Sequence, residues 1–130
     1  ASFADPSVEM ATLWYPLAEA DRANPNAVKV VADASGNALF FSRSLIPYPR
    51  TSDGFAPRKH IGVYGYRRET LRRLVLLPPC DLEKCESLEQ LRALYHGIRI
   101  RLVPASRETL GVDTPADLDR VRAVFKERAP

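Results

Sequence analysis

Strand-like and helical patterns alternate along this chain, and that alternation constrains its fold more than any other feature. The segment "HIGVYGYR" is rich in β-branched and aromatic residues, which is typical of a strand. Directly after it, Leu71, Leu74 and Val75 fall at helical spacing, and Pro78 and Pro79 end the predicted helix. A strand that runs directly into a helix predicts an α/β fold.

The same alternation continues on both sides of this segment. Upstream, "EMATLWYPL" predicts a strand, and a β-hairpin is predicted with its strands at 28–31 and 39–41. Downstream, residues 81–97 predict a second helical region that ends at Gly97, and "IRIRLVP" predicts a strand. A last helix is predicted over 114–125, so strands and helices are mixed along the whole chain.

A long proline-rich loop follows the predicted hairpin. Residues 44–59 carry few periodic apolar positions, and long loops of this kind within compact domains are often functional. We interpret "LFFSRSLIPYPR" as a strand that delivers Arg43 to the rim of a polar pocket. Pro47 and Pro49 then restrict the loop that carries Arg50.

Composition and charge exclude several classes of protein. The 130 residues suffice for one domain, and their formal net charge is +3. Most of the 19 basic residues are arginine, whose planar fork suits carboxylate and phosphate, but they are spread among 16 acidic residues. This spread argues against a nucleic-acid interface. No apolar run approaches the ~18 residues of a membrane helix, and residues 1–6 do not resemble a signal peptide.

The two cysteines, Cys80 and Cys85, predict neither a zinc site nor a disulfide framework. We interpret them as buried or half-buried free thiols, as expected in a reducing cytoplasm. The chain also lacks a glycine-rich phosphate loop, and no residue pattern suggests a nucleophile with its base.

Four polar residues have both a structural and a functional interpretation. Asp113 precedes a predicted helix, where a carboxylate supports the helix start, but it could equally bind a metal or sit at a phosphate site. His60 stands between the long loop and a strand, and is either a structural or a site residue. Glu89 and Gln90 either belong to a solvated helix face or bind a polyhydroxylated ligand.

Four segments in one order resemble the CMP-KDO synthetase family, the 3-deoxy-manno-octulosonate cytidylyltransferases. They are "NPNAVKVVADASGNALFFSRSLIPYPR", "KHIGVYGYRRETL", "LEKCESLEQLRALYHGIRI" and "GVDTPADLDRVR". The resemblance implies a nucleotide-diphospho-sugar transferase fold, which is Rossmann-like with a mixed sheet. It also implies a Mg²⁺-dependent cytoplasmic homodimer that transfers CMP from CTP to 3-deoxy-D-manno-octulosonate (KDO) and releases pyrophosphate. The product serves lipopolysaccharide synthesis in Gram-negative bacteria.

Family members are longer than this chain, and their N-terminal half grips the CTP phosphates. The resemblance therefore implies that residues 1–130 are the C-terminal half, which carries the sugar-acid site and the dimer-forming region. We expect this half to have no transferase activity alone, because the phosphate-binding half is absent from it.

The resemblance also assigns roles to individual residues. Arg43, and with less support Arg50, would bind the carboxylate of the sugar acid, and His60 and Tyr64 would line the same pocket. The sugar hydroxyls would be bound by the pair Glu89 and Gln90, and Mg²⁺ would be bound by Asp113.

Two other functions stay open from the sequence. The chain could come from a cytidylyltransferase for another sugar acid, of the sialic-acid type, although "SLEQLR" favours KDO by resemblance. It could also be a truncated, non-catalytic module that keeps only a dimerisation or interaction surface. No nucleic-acid or membrane partner is expected.

Overall fold

The computed structural model describes residues 4–51, 54–106, 115–116, 118–119 and 122–123. Five strands form one mixed sheet in the order β3-β2-β4-β1-β5. The strands are β1 Met10–Pro16, β2 Lys29–Ala32, β3 Ala38–Ser42, β4 Arg58–Tyr66 and β5 Ile100–Pro104. Only β1 and β5 pair in parallel; the pairs β1–β4, β2–β3 and β2–β4 are antiparallel. The predicted α/β class and the predicted hairpin are confirmed.

Three α-helices lie between β4 and β5, namely α1 Arg68–Leu76, α2 Asp81–Glu86 and α3 Gln90–Tyr95. The predicted helical region over 81–97 is present but consists of two helices, because Ser87 adopts a left-handed backbone conformation with φ 54° and ends α2. Gly97 has φ 83° just after α3, as predicted for a helix-terminating glycine. The described residues of the predicted last helix, 115–116, 118–119 and 122–123, are helical.

The hydrophobic core lies where α3 packs on the sheet. Leu91 and Ala93 of α3 are fully buried against apolar side chains of the strands and of the segments next to them. These partners are Met10, Val30, Phe41, Ile98, Ile100 and Leu102. Because this face is apolar, a polar side chain on it must find a partner or face a cavity.

Other predictions are confirmed in part. Neither cysteine is in a disulfide; Cys80 is buried as predicted, but Cys85 is exposed. Within the described ranges, no helix is long and apolar enough to cross a membrane.

Candidate functional site

Four aromatic rings form a continuous row on the core face of the sheet. The row runs from Phe41 on β3 to His60, Tyr64 and Tyr66 on β4, with successive ring centroids 4.8, 5.5 and 6.0 Å apart. Residues two or four apart on a strand share a face, which explains why the three β4 rings align. The row leads from the buried core to the end of β4, and we call it the aromatic row.

A bulge in β4 lies between His60 and Tyr64. Thr12 of β1 pairs with Tyr64, whereas Leu13 pairs with Ile61, so two residues of β4 have no partner on β1. The Thr12 hydroxyl lies 2.9 Å from the carbonyl oxygen of Val63 and 3.2 Å from that of Ile61. Bulges re-aim side chains and are frequent beside functional sites. Here the bulge sets the direction in which Tyr64 leaves the strand.

Tyr64 and Tyr66 line a cavity of about 380 Å³, which we call the tyrosine cavity. The other lining residues come from β1, α1 and the segment around the start of α3; they are Met10, Leu74, Val75, Ser87, Leu88, Glu89, Gln90 and Arg92. The cavity has an apolar floor and a few convergent polar groups, and its volume is typical of small-molecule sites.

An ion pair between the buried Glu83 and the half-buried Arg92 holds the polar wall of the tyrosine cavity in place. Arg92 donates two hydrogen bonds to the Glu83 carboxylate, with Nε–Oε1 at 2.7 Å and Nη2–Oε2 at 2.9 Å. Glu83 also accepts a hydrogen bond from the backbone N–H of Cys80 at 3.1 Å. The hydrogen bonds from Arg92 lower the pKa of Glu83, so the carboxylate is charged near neutral pH. The pair ties α2 to α3 across the turn that presents Glu89 and Gln90.

The predicted pair Glu89 and Gln90 differs in environment. Glu89 is exposed, whereas Gln90 is buried and lines the cavity. Within the described residues, the Gln90 amide makes no hydrogen bond. A largely buried amide that faces a cavity without a protein partner is suited to a polar ligand.

The two cavity tyrosines are neutral hydrogen-bonding groups. Burial raises the pKa of the Tyr64 hydroxyl, and the neighbouring Tyr66 and the Glu89 carboxylate raise it further. Burial and Glu89 also raise the pKa of Tyr66. The cavity therefore offers phenol donors beside a carboxylate acceptor, a combination that matches the hydroxyl groups of a sugar.

His60 is buried behind Tyr64 and is not among the residues that line the tyrosine cavity. Its Nε2 lies 2.8 Å from the Thr12 hydroxyl. Burial lowers the pKa of His60 to about 4, so the ring is neutral at physiological pH. The two rings are in contact, with centroids 5.5 Å apart, whereas the role of His60 in lining a sugar-acid pocket with Tyr64 stays a prediction.

Arg43 lies at the end of β3, with its side chain directed to backbone carbonyl oxygens. Its guanidinium donates hydrogen bonds to the carbonyls of Pro25 at 2.9 Å, Glu86 at 2.6 Å and Ser87 at 3.2 Å. Ser87 itself lines the tyrosine cavity. Arg43 thus anchors the turn before Gln90, while its binding of a sugar-acid carboxylate stays a prediction.

The structure does not bring Arg50 to the tyrosine cavity. Arg50 is exposed and lines a separate cavity of about 440 Å³ within the long loop, together with Tyr48 and Phe55. The two cavities share no lining residue in the described part of the chain. A role for Arg50 beside Tyr64 therefore stays a prediction.

The metal-site prediction cannot be placed on this structure, because Asp113 lies outside the described residues. In the ranges that the structure does describe, no group of three or more His, Cys, Asp or Glu side chains could hold a metal ion.

Sequence reasoning missed two residues of the site. Tyr66 follows Tyr64 at a spacing of two, and this strand periodicity was a sufficient signal. Thr12 carried no signal, because its contact with His60 depends on the pairing of β1 with β4.

Comparison with known proteins gives consistent matches. Residues 3–100 match the family model for cytidylyltransferases. The chain is 51% identical over 129 residues to the 3-deoxy-manno-octulosonate cytidylyltransferase of Acidobacterium capsulatum, with 98% of this chain and 53% of the relative covered. It is 54% identical over 104 residues to the protein of the same name from a Nitratiruptor species, with 80% of this chain and 43% of the relative covered.

A solved structure is also similar to the chain. The structure of CMP:2-keto-3-deoxy-manno-octonic acid synthetase in complex with CTP superimposes with a TM-score of 0.88 at 43% identity. The match covers 98% of this chain and 53% of that one. The chain thus spans about half the length of the curated relatives and of the solved structure that it matches.

Proposed function

This chain belongs to the cytidylyltransferase family, and from that premise we propose that its full-length protein transfers CMP from CTP to KDO, giving CMP-KDO and pyrophosphate. We propose further that residues 1–130 form the C-terminal, sugar-acid-binding half of that enzyme. The support is the high identity to relatives of that name over nearly all of this chain. The structural match to a synthetase with bound CTP supports the same reaction.

The observation that carries the proposal is the tyrosine cavity. Tyr64, on β4, and Gln90, at the start of α3, are separated by a helix pair yet line one space of small-molecule size. Both belong to the residues that the family resemblance assigns to the sugar acid. A row of neutral phenols, an unpaired amide and a carboxylate supplies donors and acceptors for a molecule with several hydroxyl groups.

In the proposed reaction, a sugar hydroxyl oxygen of KDO attacks the α-phosphorus of CTP. The new P–O bond forms as the bond to pyrophosphate breaks, and the hydroxyl proton is released. Such transfers depend on alignment and on neutralised charge, so they need no nucleophile from the protein. Tyr64, Glu89 and Gln90 would hold the acceptor in line, while residues outside this chain would hold the phosphates.

Mg²⁺ is proposed as the cofactor, with Asp113 as one ligand. The support is the resemblance of "GVDTPADL" to the family segment. A bound Mg²⁺ would offset the negative charge of the reacting phosphate group.

We also propose that the enzyme is a homodimer. The support is that α1 carries three exposed apolar side chains in this chain: Leu71 is 44%, Val75 69% and Leu76 83% exposed. Sedimentation of the full-length protein tests this proposal. A sedimentation coefficient of a monomer at micromolar concentration would refute it.

Substrate kinetics of full-length variants test the assignment of the tyrosine cavity. Tyr64→Phe removes a phenol donor and Gln90→Leu removes the amide, so each should raise the KM for KDO about tenfold with little change in the KM for CTP. Tyr95→Phe is the matched control, because Tyr95 is 62% exposed and does not line the cavity. Equal effects on both substrates, or none on KDO, would contradict the assignment.

A further inference from the structure

The buried Thr12 hydroxyl stands at the centre of three polar contacts. It lies 2.8 Å from Nε2 of His60, 2.9 Å from the carbonyl oxygen of Val63 and 3.2 Å from that of Ile61. Thr12 is 1% exposed, so water does not compete for these contacts. A buried polar group with several partners fixes their relative positions.

These contacts decide which nitrogen of His60 carries the proton. A hydroxyl has one proton to donate, and carbonyl oxygens only accept. If the Thr12 hydroxyl donated to Nε2, its oxygen would face two carbonyl oxygens without a proton between them. When it donates to the nearer carbonyl, that of Val63, Nε2–H donates to the hydroxyl oxygen, and only the longer contact with Ile61 has no proton of its own. The neutral ring therefore carries its proton on Nε2.

The opposite ring nitrogen of His60 is then a free acceptor. Nδ1 has no hydrogen-bond partner among the residues that the structure describes. In that same part of the chain, no fully buried side-chain nitrogen or oxygen lacks a partner, so Nδ1 is within reach of solvent. The ring packs on Tyr64, which lines the tyrosine cavity, with centroids 5.5 Å apart.

We infer that Thr12 is a positioning residue of the sugar-acid site. Its hydroxyl fixes the Nε2–H tautomer of His60, so that Nδ1 accepts a hydrogen bond from a hydroxyl of the bound sugar acid. The same hydroxyl holds the β4 bulge that aims Tyr64 into the cavity. This inference rests on the proposed function for the identity of the ligand, but the tautomer itself does not depend on it.

The tautomer is tested first, in the unaltered full-length protein labelled with ¹⁵N-histidine. His60→Gln assigns the His60 signals. At pH 7 we expect Nε2 to be protonated and Nδ1 to be unprotonated, and we expect the Nδ1 signal to shift when KDO is added. A proton on Nδ1, or no change of its signal at saturating KDO, would overturn the inference.

Kinetics then separate positioning from plain stability. Thr12→Val should raise the KM for KDO about tenfold, equivalent to ~1.4 kcal/mol, the size of one neutral hydrogen bond. The KM for CTP should stay the same, and Thr12→Ser, which keeps the hydroxyl, should restore the KM for KDO. Thr70→Val is the matched control, since Thr70 is also buried but lies on α1 and makes no hydrogen bond to His60.

Three kinetic results would count against a positioning role. They are equal losses for both substrates, an unchanged KM for KDO in Thr12→Val, and a Thr12→Ser variant as impaired as Thr12→Val. If the unaltered protein makes no CMP-KDO at all, the proposed function fails and the ligand part of the inference fails with it. The ring-nitrogen spectrum still decides whether Thr12 fixes the tautomer.

Discussion

Acidification from pH 7 to pH 4 should destabilise the folded protein through His60. Burial lowers the pKa of this ring from 6.5 to about 4, whereas the unfolded chain keeps the ordinary value. Between these two values the unfolded state binds a proton that the folded state does not, so falling pH favours unfolding. Well above pH 6.5 the ring is neutral in both states and contributes no pH dependence.

The magnitude follows from 1.36 kcal/mol per pH unit, which gives a loss of about 2 kcal/mol at pH 5 and about 3 kcal/mol at pH 4. Urea unfolding at pH 7 and pH 5 measures the loss. Carboxylates such as Glu83 also titrate in acid, so the comparison protein is His60→Gln, which keeps an N–H donor for Thr12 but cannot titrate. The reasoning is refuted if both proteins lose the same free energy of unfolding between the two pH values.

Three further predictions concern the anchors of the site and the chain itself. Arg43→Ala should weaken the use of KDO far more than the use of CTP in steady-state kinetics, and equal losses for both substrates would contradict this. It should also lower the free energy of unfolding by about 1–3 kcal/mol in urea, because three backbone carbonyls lose their donor. Lys29 is fully buried, and its ammonium group donates hydrogen bonds to the carbonyls of Asn24 at 2.7 Å and Arg43 at 2.8 Å. Lys29→Met should therefore lower the free energy of unfolding in urea by about 2 kcal/mol. An unchanged midpoint of urea unfolding would show that these hydrogen bonds contribute nothing. The 130-residue chain alone should form no CMP-KDO from CTP, KDO and Mg²⁺, and detectable product would refute the assignment of the phosphate-binding groups to another part of the protein.

The sheet and α1 could be predicted from local patterns, whereas the break between α2 and α3 could not. Residues 81–97 have helical composition throughout, and Ser87 carries no glycine-like signal for a left-handed backbone. The break is stabilised by tertiary contacts instead, namely the Glu83–Arg92 ion pair and the bond from Arg43 to the Ser87 carbonyl. Such contacts become visible only when the chain is folded.

The candidate site, too, could be predicted only in part. The family resemblance identified Tyr64 and Gln90 as site residues, and the fold places both of them on one cavity. The role of Thr12 depends on the register of β1 against β4, which no local pattern specifies. Arg43 and Arg50 look alike in sequence, yet one anchors backbone carbonyls and the other lies in the exposed loop. Their side-chain partners come from distant parts of the chain.

The most direct measurement is product formation by the full-length protein, supplied with CTP, Mg²⁺ and either KDO or a sialic acid. The account predicts CMP-KDO and pyrophosphate in equal amounts, detected by mass spectrometry and a pyrophosphate assay, with little or no product from sialic acid. Preferential use of sialic acid, or no CMP transfer to KDO by a folded protein, would contradict the central claim.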